Sequence, residues 1–157
     1  MNSVIVFFAE PLGYILLAFL LVFFWENRKK YPRFLFEAAS AAFLSRGVVT
    51  EAIRFFWHNP RPFVEQGTMP LIAESPLSWS FPSGHATFFF ALGAVLYSYN
   101  KKAGIAFLAF SGLMGIARVL AGVHWPLDIA GGAVIGMVSG FIVVRLFCSR
   151  GNRFFSY

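Results

Sequence analysis

The chain has 157 residues, of which 58% are hydrophobic and only 13% are charged, with a formal net charge of +6. This composition excludes an ordinary soluble domain of this length and indicates a protein that lies in a lipid bilayer. The Lys and Arg residues fall mainly at the ends of apolar stretches, where membrane topology places them, so the positive charge does not indicate nucleic-acid binding.

Five apolar stretches are long enough, or nearly so, to cross about 30 Å of hydrocarbon as helices. They cover residues 3–25, 34–57, 83–99, 103–123 and 126–147, and the third is short for a complete span. We therefore expect an all-α integral-membrane bundle of about five transmembrane helices, forming one domain over residues 1–157. The N-terminus lacks the basic segment of a cleavable signal peptide, so the first stretch is expected to remain as an anchor.

The basic residues divide between the two ends of the predicted bundle, and nine of the thirteen share one end. Those nine are Arg28, Lys29, Lys30, Arg33, Lys101, Lys102, Arg145, Arg150 and Arg153. By the positive-inside rule this end and the C-terminus are cytoplasmic. Arg54, Arg61 and Arg118 then lie toward the extracytoplasmic side, while Arg46 lies within the second stretch and could pair with a carboxylate on a neighbouring helix.

Glycines recur at helical spacing in the last stretch. Gly132, Gly136 and Gly140 form two overlapping GxxxG patterns, and this spacing lets helices approach closely in lipid. We interpret them as packing positions inside one bundle and not as a dimerisation surface. The sequence leaves the oligomeric state open.

The spacing Arg118-x5-His124-x3-Asp128 is the most informative chemical feature of the chain. Residues four apart share a helix face, so Asp128 can accept a hydrogen bond from one ring nitrogen of His124 and leave the other free to attack. A buried structural pair is the alternative. An ionisable group this close to a membrane segment is costly unless it is paired, which favours a functional site.

Two further motifs precede this one. Arg54 and Arg61 are seven residues apart, and guanidinium groups bind phosphate oxygens in pairs of hydrogen bonds. Taken singly, each arginine could instead be a charge reaching from a helix end to the membrane surface. The segment Pro82-Ser83-Gly84-His85 starts an apolar stretch, where free backbone N–H groups favour an anion. An ordinary helix cap would explain Ser83 and Gly84, but it does not explain His85.

The three motifs, which span residues 54–128 within a core at 34–147, together resemble the signature of the type 2 phosphatidic acid phosphatase superfamily of membrane lipid phosphatases. The resemblance implies that His124 attacks phosphorus and forms a phosphohistidine, that Asp128 orients it, and that His85 protonates the leaving oxygen. It also implies a phosphate site made by Arg54, Arg61, Arg118, Ser83 and Gly84. No metal or other cofactor is implied.

The chain departs from the family pattern twice. Arg54 stands where the first motif usually has lysine, and Ala117 stands where the third usually has serine before its arginine. The first change keeps the charge and alters its reach, while the second removes a hydroxyl donor. Both bear on substrate positioning and leave the predicted nucleophile, acid and arginines in place.

Residues 58–64 look most like the bacterial undecaprenyl-diphosphate phosphatases of this superfamily. That resemblance implies a bacterial plasma-membrane enzyme that forms undecaprenyl phosphate for cell-wall synthesis. The loop at 59–81 is the candidate for headgroup selection, because it is long enough to cover the site. The alternatives are phosphatidylglycerophosphate, phosphatidate or lipid A phosphatases, a non-enzymatic phospholipid-binding or transport protein, and a vanadium haloperoxidase.

Overall fold

The computed structural model describes residues 2–148, and the regular structure in that range is helical throughout. The first three α-helices are α1 (Asn2–Ala9), α2 (Pro11–Asn27) and α3 (Phe34–Ala42). A π-helix (Phe43–Val49) continues α3 directly into α4 (Thr50–Phe56), and a short α5 (Pro62–Glu65) follows. The remaining helices are α6 (Gly84–Tyr99), α7 (Lys101–Leu120) and α8 (Pro126–Cys148).

Three helical segments of the described range are long and apolar enough to cross a membrane. They are Asn2–Asn27, Lys101–Leu120 and Pro126–Phe147. The expected all-α membrane bundle is therefore confirmed, although α6, with 16 residues, is shorter than a typical span. Two predicted helices differ in detail from the structure. The first is interrupted between Ala9 and Pro11, and the second contains the π-helix, because hydrophobic periodicity does not indicate either interruption.

The helix α6 lies at the centre of the bundle and contacts α3, α7 and α8. Its side chains are buried on most sides, including Ala91, Val95 and Leu96, which are fully enclosed. Side-chain caps fix the start of α6 and the start of the next helix, α7. Ser83 Oγ accepts a hydrogen bond from Ala86 N, and at the other end Asn100 Oδ1 caps α7 by accepting one from Ala103 N at 3.0 Å.

Glycines bring α8 into backbone contact with α6. A methyl group added to Gly136 would lie 2.5 Å from the carbonyl oxygen of Thr87, and one added to Gly140 would lie 2.7 Å from that of Ala91. Such distances leave no room for a side chain. The prediction that the GxxxG glycines serve packing within the bundle is confirmed.

The described basic loops lie at the end of the bundle opposite the polar motifs. Tyr31, in the loop after α2, packs its ring against Tyr99 at the end of α6, with 5.0 Å between the ring centroids. The starts of α6 and α8, which carry the second and third motifs, are at the far ends of those helices. The predicted separation of charge between the two ends therefore holds for the described residues, while Arg150 and Arg153 lie outside them.

We expect Gly136→Ala to lower stability by about 1–3 kcal/mol, because the added methyl group would overlap backbone atoms of α6. Gly112→Ala is the matched control, since a methyl group there meets nothing within 4 Å and alanine is the better helix former. Thermal unfolding in detergent micelles measures both. Equal midpoints for the two variants would contradict the close α6–α8 contact.

Candidate active site

A cavity of about 660 Å³ brings together residues from all three sequence motifs. The polar residues that the motifs contribute to its lining are Arg54, Arg61, His85, Arg118 and His124. Gly84 lies in the same wall. Four arginines line the cavity against two glutamates, so its lining is positively charged and suits an anion.

The predicted contact between His124 and Asp128 is present. The His124 Nδ1 atom lies 3.3 Å from Asp128 Oδ2, and both side chains are only 1% exposed. Proline 126 begins α8 between them, and the Trp125 N–H donates to the same carboxylate oxygen at 2.7 Å. Burial lowers the pKa of the His124 imidazole below its ordinary value, while the hydrogen bond to Asp128 acts in the opposite direction. The imidazole is thus neutral at physiological pH.

Ser80 is a buried partner of this pair that sequence reasoning missed. Its hydroxyl donates to Asp128 Oδ2 and lies 3.4 Å from His124 Nδ1. Its backbone N–H donates to Asn59 O at 2.8 Å, which ties the loop before α6 to the segment after α4. A single serine in a long irregular loop carries no periodic signal, so only the fold reveals this contact.

Arg61 faces the other nitrogen of the imidazole. Its Nη1 atom lies 3.4 Å from His124 Nε2 and donates to Val123 O at 3.0 Å. A proton on Nδ1, shared with Asp128, leaves the lone pair of Nε2 directed toward this guanidinium. An anion that enters beside Arg61 therefore meets a nucleophile and a positive charge together.

Glu74 joins Arg61 to Arg118, and it too was missed from the sequence. Its Oε2 atom lies 3.3 Å from Arg61 Nη2, and its Oε1 atom accepts a hydrogen bond from Arg118 Nη2. Arg118 is 1% exposed and also donates to Ala9 O at 3.2 Å, at the end of α1. The carboxylate thus occupies the position between two arginines that the motifs predict for a phosphate.

Arg54 also lines the cavity. Its Nη2 atom donates to Pro82 O at 3.0 Å, and its Nη1 atom lies 3.7 Å from Glu51, as the three-residue spacing predicts. Arg46 pairs with Glu51 as well. The expectation that Arg46 would pair with a neighbouring helix is wrong, because the π-helix turns it toward a carboxylate on its own helical segment.

Ser83, Gly84 and His85 of the second motif have different surroundings. His85 lines the cavity, and its side chain forms no hydrogen bond within residues 2–148. Gly84 begins α6 and lines the cavity, whereas Ser83 caps the helix and gives its backbone N–H to Asp128 O at 3.0 Å. That N–H is occupied, so the geometry does not support Ser83 as a backbone donor to phosphate. Ser83 instead links α6 to α8.

Across residues 2–148, no group of three or more His, Cys, Asp or Glu side chains is arranged to hold a metal ion. The positive charges of the cavity come from arginine. The exposed His58 packs its ring against Trp79, with 4.5 Å between the ring centroids, and does not line the cavity.

Known proteins resemble the chain in sequence and in fold. It is 33% identical over 143 residues to the bacitracin transport permease protein BcrC of Bacillus licheniformis, covering 91% of this chain and 70% of that protein. It is also 33% identical over 98 residues to the undecaprenyl-diphosphatase BcrC of Bacillus subtilis strain 168, covering 62% of this chain. That alignment spans 50% of the length of the Bacillus subtilis protein.

The crystal structure of Aquifex aeolicus LpxE superposes with a TM-score of 0.73 and 30% sequence identity, covering 92% of this chain and 85% of that one. The family model of the PAP2 superfamily matches residues 34–151, which include every motif that forms the cavity. The resemblance found in the sequence motifs is thereby confirmed, and the chain belongs to the PAP2 superfamily.

Proposed function

We propose that this protein is a membrane lipid phosphatase that hydrolyses undecaprenyl diphosphate to undecaprenyl phosphate through a phosphohistidine intermediate. One observation carries the proposal. A neutral, buried His124 is held by Asp128 on one nitrogen and presents the other to an arginine-lined cavity. The undecaprenyl-diphosphatase name of a relative supports this choice of substrate.

The attack begins with the terminal phosphate between Arg61 and Arg118, where it takes the place of the Glu74 carboxylate. The lone pair of His124 Nε2 forms a bond to phosphorus, and Asp128 stabilises the imidazolium that results. Guanidinium donors fixed in the cavity stabilise the charge on the equatorial oxygens, which is the main contribution in phosphoryl transfer. Arg54, held at Pro82 O, adds a third charge to the same cavity.

The departing oxygen takes a proton from His85. This residue lines the same cavity and lies in the first turn of α6. Water then attacks the phosphohistidine, and His85 serves as the base that accepts its proton. All these charges come from side chains of the chain itself, so the reaction is proposed to need no metal ion. The site is proposed to face the extracytoplasmic side of a bacterial plasma membrane.

The loop at 59–81 is proposed to select the headgroup, because its residues Ala73, Glu74, Ser75 and Ser78 line the cavity. A transport or lipid-binding role is the second candidate, since one relative is named a transport permease. Binding alone requires neither a nucleophile nor a carboxylate that orients it. The geometry of the His124 pair therefore favours hydrolysis.

Purified protein in mixed micelles should release phosphate from undecaprenyl diphosphate with a higher kcat/KM than from phosphatidylglycerophosphate or phosphatidate. The release should continue in excess chelator, because arginines supply the charge. His124→Ala should abolish release from every substrate, and Arg33→Gln, at the opposite end of the bundle, should have no effect. A tenfold preference for a glycerophospholipid would mean that undecaprenyl diphosphate is not the substrate. Lipid binding without phosphate release would favour the transport role.

Glu74→Gln should increase the affinity for orthovanadate, an analogue of the transferred phosphoryl group, because the anion no longer displaces a charged competitor from Arg61 and Arg118. A charge-assisted hydrogen bond contributes roughly 1.5–3 kcal/mol, so the inhibition constant should fall by about tenfold or more. The same variant should be less stable without vanadate and gain more from it in thermal unfolding.

Glu65→Gln is the control for this experiment, because Glu65 is exposed on α5 and its carboxylate pairs with no arginine of the described chain. It should leave vanadate inhibition unchanged. If Glu74→Gln weakens vanadate inhibition, the carboxylate supports the anion site and does not compete with the anion.

A further inference from the structure

Arg46 lies where the polar cavity meets a second, apolar cavity. The second cavity has a volume of about 580 Å³ and is lined by apolar side chains of α2, α3, the π-helix and α6. Arg46, Leu17 and Phe88 line both cavities. The other three arginines of the site line the polar cavity, so Arg46 is the charge placed between the reacting groups and the apolar space.

The π-helix determines the direction of Arg46. In this segment Thr50 Oγ1 donates to Ser45 O, five residues earlier, at 2.8 Å, and Arg46 reaches Glu51, five residues later. Single π-helical turns inside α-helices are rare and occur frequently at functional sites. Among the four arginines that line the polar cavity, Arg46 is the one that no motif uses, and the π-helical turn contains it.

The Arg46 guanidinium lies against the first residue of α6. A methyl group added to Gly84 would be 2.5 Å from Arg46 Nε, so glycine permits this close approach. The next residue is His85. The side chain of Arg46 is 41% exposed, and its partner Glu51 is more exposed still, so a ligand can reach the guanidinium.

We propose that Arg46 binds the inner phosphate of a lipid diphosphate, the phosphate that leaves with the lipid, and so selects diphosphates over monophosphates. This inference rests on the proposed function, in which His124 attacks the terminal phosphorus. The next phosphate must then lie on the leaving-group side, beside His85 and toward the apolar chain. Arg46 is the arginine at that position.

The chemical step gives Arg46 a definite role. The lone pair of His124 Nε2 forms the N–P bond, and the bond between the terminal phosphorus and the bridging oxygen breaks. Its electron pair stays on the bridging oxygen, which remains with the lipid phosphate and takes a proton from His85. Arg46 stabilises the negative charge that gathers on this phosphate. A monophosphate has no group at this position.

The direct test measures binding with ligands that cannot be hydrolysed, a farnesyl methylenebisphosphonate and a farnesyl monophosphonate. By titration calorimetry, wild-type protein should bind the bisphosphonate at least tenfold more tightly than the monophosphonate. Arg46→Gln should remove that preference by weakening the bisphosphonate roughly 10- to 100-fold. Arg46→Lys should keep part of it, because the charge remains. Arg33→Gln, an exposed arginine at the opposite end, is the control.

Turnover provides the second readout. Arg46→Gln should lower kcat/KM for undecaprenyl diphosphate by a similar factor and change that for phosphatidate much less. An equal loss for both ligands, or a bisphosphonate preference that survives Arg46→Gln, overturns the inference. An Arg46-dependent preference in a protein that hydrolyses neither lipid supports the phosphate site and overturns the proposed function. Thermal unfolding of each variant separates loss of binding from loss of folding.

Discussion

The close contact of α6 with α8 determines where the reactive groups lie. Both helices begin at the same end of the bundle, and the glycines of α8 let their backbones touch along several turns. Because the Ser83 N–H donates to Asp128 O, the starts of the two helices are fixed to one another at 3.0 Å. His85 is the second residue of α6, and Asp128 lies in the first turn of α8, where it contacts His124 in the segment before that helix. The backbone contact of α6 with α8 therefore places both predicted histidines beside one cavity.

The second constraint is electrostatic. Guanidinium groups buried at the edge of a membrane bundle need partners, since an unpaired charge there is expensive. Carboxylates supply them in two sets. Glu74 joins Arg61 to Arg118, and Glu51 joins Arg46 to Arg54. Each set holds two arginines near a position where an anion can exchange with a carboxylate. These pairings offset part of the cost of placing several arginine charges around one cavity.

Local spacing explains which parts of this site could be predicted from the sequence. The four-residue interval predicted the contact between His124 and Asp128, the glycine spacing predicted the packing of α8, and the structure contains both contacts. His124 precedes α8, however, so its contact with Asp128 crosses the start of the helix and does not run along one helix face. Ser80 and Glu74 reach the site from an irregular loop, where no periodicity links a residue to its partner. Their contacts depend on the path of this loop across the cavity, which is set by tertiary structure.

The π-helix also could not be predicted from the sequence. Its hydrophobic pattern resembles that of the α-helices on either side, so the sequence predicted a continuous helix over 34–57. One altered turn directs Arg46 toward Glu51 and the cavity instead of a neighbouring helix. Tertiary contact with α8 also uses the backbone N–H of Ser83, which the cap motif alone would leave available, so the part of Ser83 in the phosphate site stays a prediction.

The most direct test of the account is whether phosphate becomes covalently attached to His124. Wild-type protein mixed with undecaprenyl diphosphate carrying 32P in its terminal phosphate should, after rapid quenching, hold an acid-labile, alkali-stable label. Peptide mapping should place that label at His124, and His124→Ala should acquire none. A label on another residue, or a label that survives in His124→Ala, would contradict the assignment of His124 as the nucleophile.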